Sequence, residues 1–105
     1  MTNQPGSLPS ENQLNQNFPN PFYSSTTIRY SVGRAGHIRL HILELSGKRI
    51  ATLVDEIQNP GSYSAVWDTT TSTGETAEEG LYLYSLLGDG FVLNGKALFL
   101  KGCSF

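Results

Sequence analysis

Thr26-Thr27-Ile28-Arg29-Tyr30-Ser31-Val32 alternates apolar and polar side chains, and it follows the proline-studded run Gln16-Asn17-Phe18-Pro19-Asn20-Pro21-Phe22. A period of two puts Ile28, Tyr30 and Val32 on one face and Arg29 and Ser31 on the other, which is the pattern of a half-buried β-strand. Pro19 and Pro21 lack an amide donor and push Phe18 and Asn20 toward extended geometry, so the run before the strand is confined to an edge. Phe18 and Phe22 are expected to anchor that run.

Further along, Gly33-Arg34-Ala35-Gly36 makes a turn and Ile38, Leu40 and Ile42 alternate with His37, Arg39 and His41. Two such strands joined by a short turn predict a hairpin. Leu45-Ser46-Gly47-Lys48 turns the chain again. From Arg49 to Val54 both parities carry apolar residues, and one expectation is a short helical turn over 54–57, ended by Asn59-Pro60-Gly61. Tyr63, Ala65 and Trp67 share a parity and predict another half-buried strand, with Trp67 in the core. The polar stretch 69–79 is the longest internal loop, expected to be the most mobile part.

Leu81-Tyr82-Leu83-Tyr84-Ser85-Leu86-Leu87 has large residues on both parities, which predicts a central strand covered on both faces. After Gly88-Asp89-Gly90 the chain returns, with Asn94-Gly95 reading as a turn or bulge and 96–101 as the final strand. The strand count is six or seven, with turn signals about every 8 to 12 residues, and the fold class is an all-β antiparallel sandwich. Tyr30, Leu40, Trp67, Tyr84 and Leu98 are expected to meet inside it.

With 105 residues the chain suits one domain with a single core. Residues 1–15 are polar, with Leu8 and Leu14 the apolar side chains after Met1, and read as a flexible linker. The domain spans 16–101 and a short tail covers 102–105. Charged residues are 15% and the net charge is −2, which leaves no electrostatic footprint for nucleic acid. No apolar run reaches the roughly 20 residues of a membrane-spanning helix, so no membrane insertion is expected. The start lacks the apolar centre of a signal peptide; an exported protein would then carry this piece at the end of a longer chain, with Met1 added. Cys103 is the one cysteine and forms no internal bridge.

Residues that could carry chemistry are few. His37 and His41 on one strand face stand roughly 13 Å apart, too far to share a metal ion, and read as solvent-facing. Glu75, Glu78 and Glu79 lack the ligand spacing of a calcium loop and have no apolar neighbours to raise a carboxyl pKa for acid catalysis. No Gly-x-Ser-x-Gly elbow occurs, and Gly88-Asp89-Gly90 leads into no helix that could bind phosphate. The expectation is a protein that is not an enzyme and holds no cofactor or metal.

The order of Gln16-Asn17-Phe18-Pro19-Asn20-Pro21-Phe22, Ser25-Thr26-Thr27-Ile28-Arg29-Tyr30, Leu45-Ser46-Gly47-Lys48, Gly61-Ser62-Tyr63, Trp67-Asp68, Gly80-Leu81-Tyr82-Leu83-Tyr84 and Lys96 to Lys101 resembles the C-terminal sorting domain of type IX-secreted bacterial proteins. The immunoglobulin-like domain of the flagellar hook-capping protein is a related family. The chain departs from the sorting-domain pattern at Tyr23-Ser24, at Thr69, where Gly usually follows Trp-Asp, and in the extension beyond Lys101. The resemblance implies an immunoglobulin-like sandwich at the end of a larger secreted cargo. It also implies recognition by outer-membrane secretion machinery, removal by a sortase-like surface peptidase, and location at the cell surface or in the medium. Lys96 and Lys101, at the ends of the last strand, are the expected contacts with the export machinery, offering two charges beside an open sheet edge. The alternative from a different class is a structural or carbohydrate-binding accessory module of an extracellular hydrolase.

Overall fold

Ile28, Tyr30 and Val32 are all buried, and so are Ile38, Leu40 and Ile42, yet the two sets belong to different layers. The computed structural model describes residues 11–101. Its strands are β1 (Gln13–Leu14), β2 (Thr26–Val32), β3 (Gly36–Leu43), β4 (Arg49–Gln58), β5 (Gly61–Trp67), β6 (Gly80–Gly88) and β7 (Phe91–Phe99). A three-stranded sheet of order β1-β2-β5 stacks on a four-stranded sheet of order β4-β3-β6-β7. Every strand pair is antiparallel and the described residues contain no helix, so the chain is the all-β, immunoglobulin-like sandwich expected, with seven strands.

Several local expectations are corrected. β2 and β3 form no hairpin: the turn between them carries the chain from one sheet to the other. Alternation shows that each strand has an apolar face but not which neighbour bonds its edges, and here the two faces cover each other across the interior. The helical turn over 54–57 is also absent, because β4 runs unbroken to Gln58. Its mixed parity has a different cause. Register shifts against β3 lie between Leu40 and His41 and between Ile42 and Leu43, and such bulges swap which parity faces inward, so that adjacent Ile50 and Ala51 are both buried.

The linker reading fails at its end, where Gln13 and Leu14 pair with Ser31 and Tyr30, and Asn12 Oδ1 accepts the Gly33 N–H at 2.9 Å. Residues 1–10 and the tail 102–105 lie outside the described residues. β6 is interior to its sheet, as expected, but its second face is not covered by another layer: Leu81 is 38% exposed. β7 begins at Phe91 and is continuous through Asn94-Gly95, pairing with β6 residue by residue without a bulge. That register sends Ala97 and Phe99 inward, so Leu98, expected in the core, faces out beside Leu81, while Tyr30, Leu40, Trp67 and Tyr84 are inside.

The core is closed by aromatic and hydrogen-bonded links between the sheets. Trp67 is fully buried, meets Tyr82 edge-on at 5.2 Å, and donates from Nε1 to the Thr70 carbonyl at 3.1 Å. Tyr30 stacks on Tyr63 at 5.5 Å within the smaller sheet and donates to Gln58 Oε1 of the larger one at 2.9 Å. Burial pushes the Tyr30 phenol above its ordinary pKa.

The loop expected to be most mobile is tied down. Ala77 is buried and donates to Thr69 O at 2.8 Å, Thr71 and Glu75 bond across the loop, and the Ser72 N–H and hydroxyl both donate to Ile50 O at 2.8 Å. Thr69 holds a left-handed φ of 69°, the conformation that a glycine at this position would adopt without steric cost.

Candidate functional site

The lead-in run and the last strand, far apart in sequence, lie side by side. Phe22 is fully buried, stacks on Phe99 with ring centres 5.2 Å apart, and meets Trp67 edge-on at 5.8 Å. Burying such a ring stabilises by about 1.5–3 kcal/mol, which fixes the end of the proline run against the sandwich. Phe18, expected to be a second anchor, is instead 71% exposed. Its backbone does the holding, exchanging both hydrogen bonds with Thr27 at 2.9 Å.

From that anchor the run reaches along the outer edge of β7. The Phe22 N–H donates to Leu98 O at 3.0 Å, the Leu100 N–H donates to Phe22 O at 2.9 Å, and Asn20 Oδ1 accepts the Leu98 N–H at 2.9 Å. Gln16 Nε2 donates to Lys96 O at 2.9 Å. Because Leu98 turns its backbone outward, alternation makes Val92, Asn94 and Lys96 do the same. Among the described residues nothing bonds the backbone groups of Val92 and Asn94 or the N–H of Lys96. The edge of β7 is therefore closed over its last residues by the chain's own lead-in and open over its first.

A buried polar knot sits beneath this clasp. Tyr84 of β6 lies directly opposite Gly95 of β7, and a Cβ on Gly95 would come within 2.2 Å of Tyr84 Cζ. The missing side chain lets the Tyr84 ring pass over β7 to the lead-in, where its hydroxyl donates to Asn15 O at 2.8 Å and accepts the Asn17 N–H at 3.0 Å. Asn17 is 2% exposed, and its Nδ2 donates to Thr26 Oγ1 at 2.9 Å and Pro19 O at 3.2 Å. The Thr26 hydroxyl donates to the same Pro19 carbonyl at 2.8 Å. Burial raises the Tyr84 phenol pKa, with the Asn17 N–H pulling it down. Sequence reasoning missed this unit. An isolated glycine within a strand opposite a tyrosine was the signal that could have exposed it.

The two predicted site residues have different surroundings. Lys96 is exposed on the outer face of the larger sheet, opposite Leu83. Lys101 lies beyond the end of β7; its N–H donates to Glu79 Oε1 at 3.0 Å and its ammonium lies 3.7 Å from Glu78 Oε1. That ion pair is solvent-exposed and contributes at most about 1 kcal/mol, so it leaves the lysine available to another partner. The acidic residues grouped by sequence are thus divided: Glu78 and Glu79 hold Lys101, whereas Glu75 takes part in the loop through its backbone.

His37 and His41 face outward on β3, each with its own neighbour: His37 bonds Asp55, and His41 Nδ1 lies 3.1 Å from Thr52 Oγ1. The His37 hydrogen bond is the main cause that holds the Asp55 carboxyl below its usual range, with Arg39 contributing. Partial burial and the nearby Arg49 and Arg39 push His41 down. Among the described residues no group of three or more His, Cys, Asp or Glu could hold a metal ion. Two shallow clefts, of about 380 Å³ beside Arg34, Asp89 and Phe91 and about 260 Å³ beside Glu44, Lys48 and Thr73, have no histidine or cysteine in their linings. No helix among the described residues is long and apolar enough to cross a membrane.

No protein-family model matches the chain, and no curated protein matches it. Solved structures similar to this chain include two of particular interest. One is dimeric latent PorU from Porphyromonas gingivalis, at 20% identity and a TM-score of 0.68, over 92% of this chain and 10% of that one. The other is FlgD from Xanthomonas campestris, a structure bearing on the hook capping essential for flagellar assembly, at 20% identity and a TM-score of 0.58, over 85% of this chain and 67% of that one. Likeness at this identity shows the shared sandwich fold, and this chain spans a tenth of PorU's length.

Proposed function

We propose that this chain is a non-catalytic sorting domain that directs a larger cargo through the type IX secretion system to the cell surface or medium. The supporting observation is spatial: the Gln16 to Phe22 run and the terminal strand, the two ends of the sequence resemblance, form one clasped unit at a sheet edge. The unit presents an open stretch of backbone at Val92 to Lys96 and the charges of Lys96 and Lys101, which is a surface suited to recognition by a strand-binding partner. The PorU likeness supports the same reading in one respect, since there the matching sandwich is a small part of a much longer chain. On this reading the partners are the outer-membrane secretion machinery, a sortase-like surface peptidase and the cargo domain of the parent chain.

The test is export of a secreted reporter fused ahead of the chain, in a bacterium that possesses this machinery. The intact fusion is expected in the medium or at the surface, deletion of residues 96–105 is expected to retain it in the cell, and Lys96→Ala with Lys101→Ala is expected to lower export. Equal export with and without residues 96–105 would refute the reading and favour an accessory module that only spaces or positions its parent enzyme.

A further inference from the structure

A sandwich of two open sheets has four edges, and three of them here are guarded, wholly or in part, against pairing with a second copy of the chain. The β1 edge is two residues long. The β7 edge is clasped over its end by the lead-in and carries Lys96 in its open part. The β4 edge is interrupted by two register shifts and carries Arg49, Asp55 and Glu56. Short length, coverage, bulges and charge are the devices by which proteins keep sheet edges from pairing with other chains.

β5 has none of them. Its seven residues, Gly61-Ser62-Tyr63-Ser64-Ala65-Val66-Trp67, contain no charge and no proline, and they pair with β2 without a register shift. The direction of its free groups is set by its neighbour. Thr27 exchanges hydrogen bonds with Phe18 and Arg29 O accepts from Asn15, so these β2 residues bond toward β1 and the alternate ones, Ile28 and Tyr30, bond toward β5. Their partners Ala65 and Tyr63 therefore point inward along the sheet. Ser62, Ser64 and Val66 direct their N–H and C=O groups to the free edge, where nothing among the described residues bonds them. All three side chains are exposed on the outer face.

We propose that β5 is the docking edge for a second copy of this chain, pairing antiparallel about Ser64. The two smaller sheets then join in the order β1-β2-β5-β5-β2-β1. In this register Ser64 bonds Ser64 of the partner, and Ser62 and Val66 bond the partner's Val66 and Ser62, so every outward N–H and C=O of those residues is met. No like charges oppose one another along the seam. Arg29, opposite Ser64 on β2, is the nearest charge on that face. The two copies of Arg29 lie three strand spacings apart, about 14 Å, beyond the screening length of about 8 Å at physiological salt.

Sedimentation velocity of the intact chain from micromolar to millimolar concentration tests this. The expected result is a concentration-dependent dimer. Ser64→Pro removes only the outward N–H and leaves the β2 ladder intact, so it is expected to weaken association at least about 10-fold. Ser64→Lys and Ser64→Asp place like charges opposite each other and are each expected to be monomeric, while their equimolar mixture dimerises. A chain that remains monomeric at about 1 mM overturns the proposal. A dimer that persists in Ser64→Lys also overturns it, and the charge pair decides the matter even if Ser64→Pro fails to fold.

Discussion

Tyr84→Phe removes one oxygen and leaves the aromatic packing in place, so its effect isolates the knot under the clasp. The hydroxyl serves two groups: it accepts the Asn17 N–H at 3.0 Å and donates to Asn15 O at 2.8 Å. The two losses differ. Asn15 is exposed and its carbonyl can bond water, a net cost of about 0.5 kcal/mol, whereas the Asn17 N–H is buried and left without a partner, a cost of about 1–3 kcal/mol. The sum is about 1.5–3.5 kcal/mol. Trp67, the one tryptophan and almost fully buried, reports unfolding by its fluorescence in a urea titration. The midpoint is expected to fall by about 1–2 M with the slope unchanged, or Tm by about 10–20 °C. A loss below about 0.5 kcal/mol would refute the claim that this hydroxyl joins the lead-in to the larger sheet.

The same geometry sets three other outcomes. Gly95→Ala drives a methyl group into the Tyr84 ring and is expected to cost about 2–4 kcal/mol by the same titration; a neutral result would mean that the ring does not cross β7 there. Thr69→Gly relieves the left-handed backbone and is expected to leave the midpoint equal or higher, by up to about 1 kcal/mol, whereas Thr69→Ala keeps that conformation and lowers it; the reverse order would refute the assignment of strain. Burial raises the pKa of Tyr30, Tyr82 and Tyr84 above 10.0, so the folded chain holds protons that the unfolded chain releases. Their contribution is complete below pH 10 and is lost as pH rises through the folded values. Absorbance at about 295 nm should show these phenols ionising only together with alkaline unfolding, and ionisation of all five tyrosines near pH 10 in a folded chain would contradict this.

Strands with one buried face were legible in the sequence because their side chains repeat every second residue: Ile28 to Val32, Ile38 to Ile42 and Tyr63 to Trp67 all hold. What alternation does not encode is partnership. Nothing in Ile28-Arg29-Tyr30 says whether its edge bonds Ile38 or Ala65, so a hairpin was expected where the chain changes sheets. β4 misled for a related reason, since a bulge moves adjacent residues to the same face and erases the period. Asn94-Gly95 carries a strong local turn preference, but the space required by Tyr84 on the neighbouring strand decides the role of that glycine. Pro19 and Pro21 correctly confined the lead-in to an edge, while the choice of edge rested on Gln16, Asn20 and the backbone of Phe22 meeting β7, contacts separated by some 80 residues. Lys96 and Lys101 were identifiable as charges near the terminal strand; that Glu78 and Glu79 hold one of them was not.

Amide hydrogen exchange along β7 tests the clasp most directly. Leu98 and Leu100 donate to Asn20 and Phe22, so their amides should be protected, while Asn94 and Lys96, outward on the same edge but unbonded, should exchange rapidly; Asn20→Ala should release Leu98. Exchange at Leu98 as fast as at Asn94 would contradict the account, because the lead-in and the terminal strand would then not form one unit.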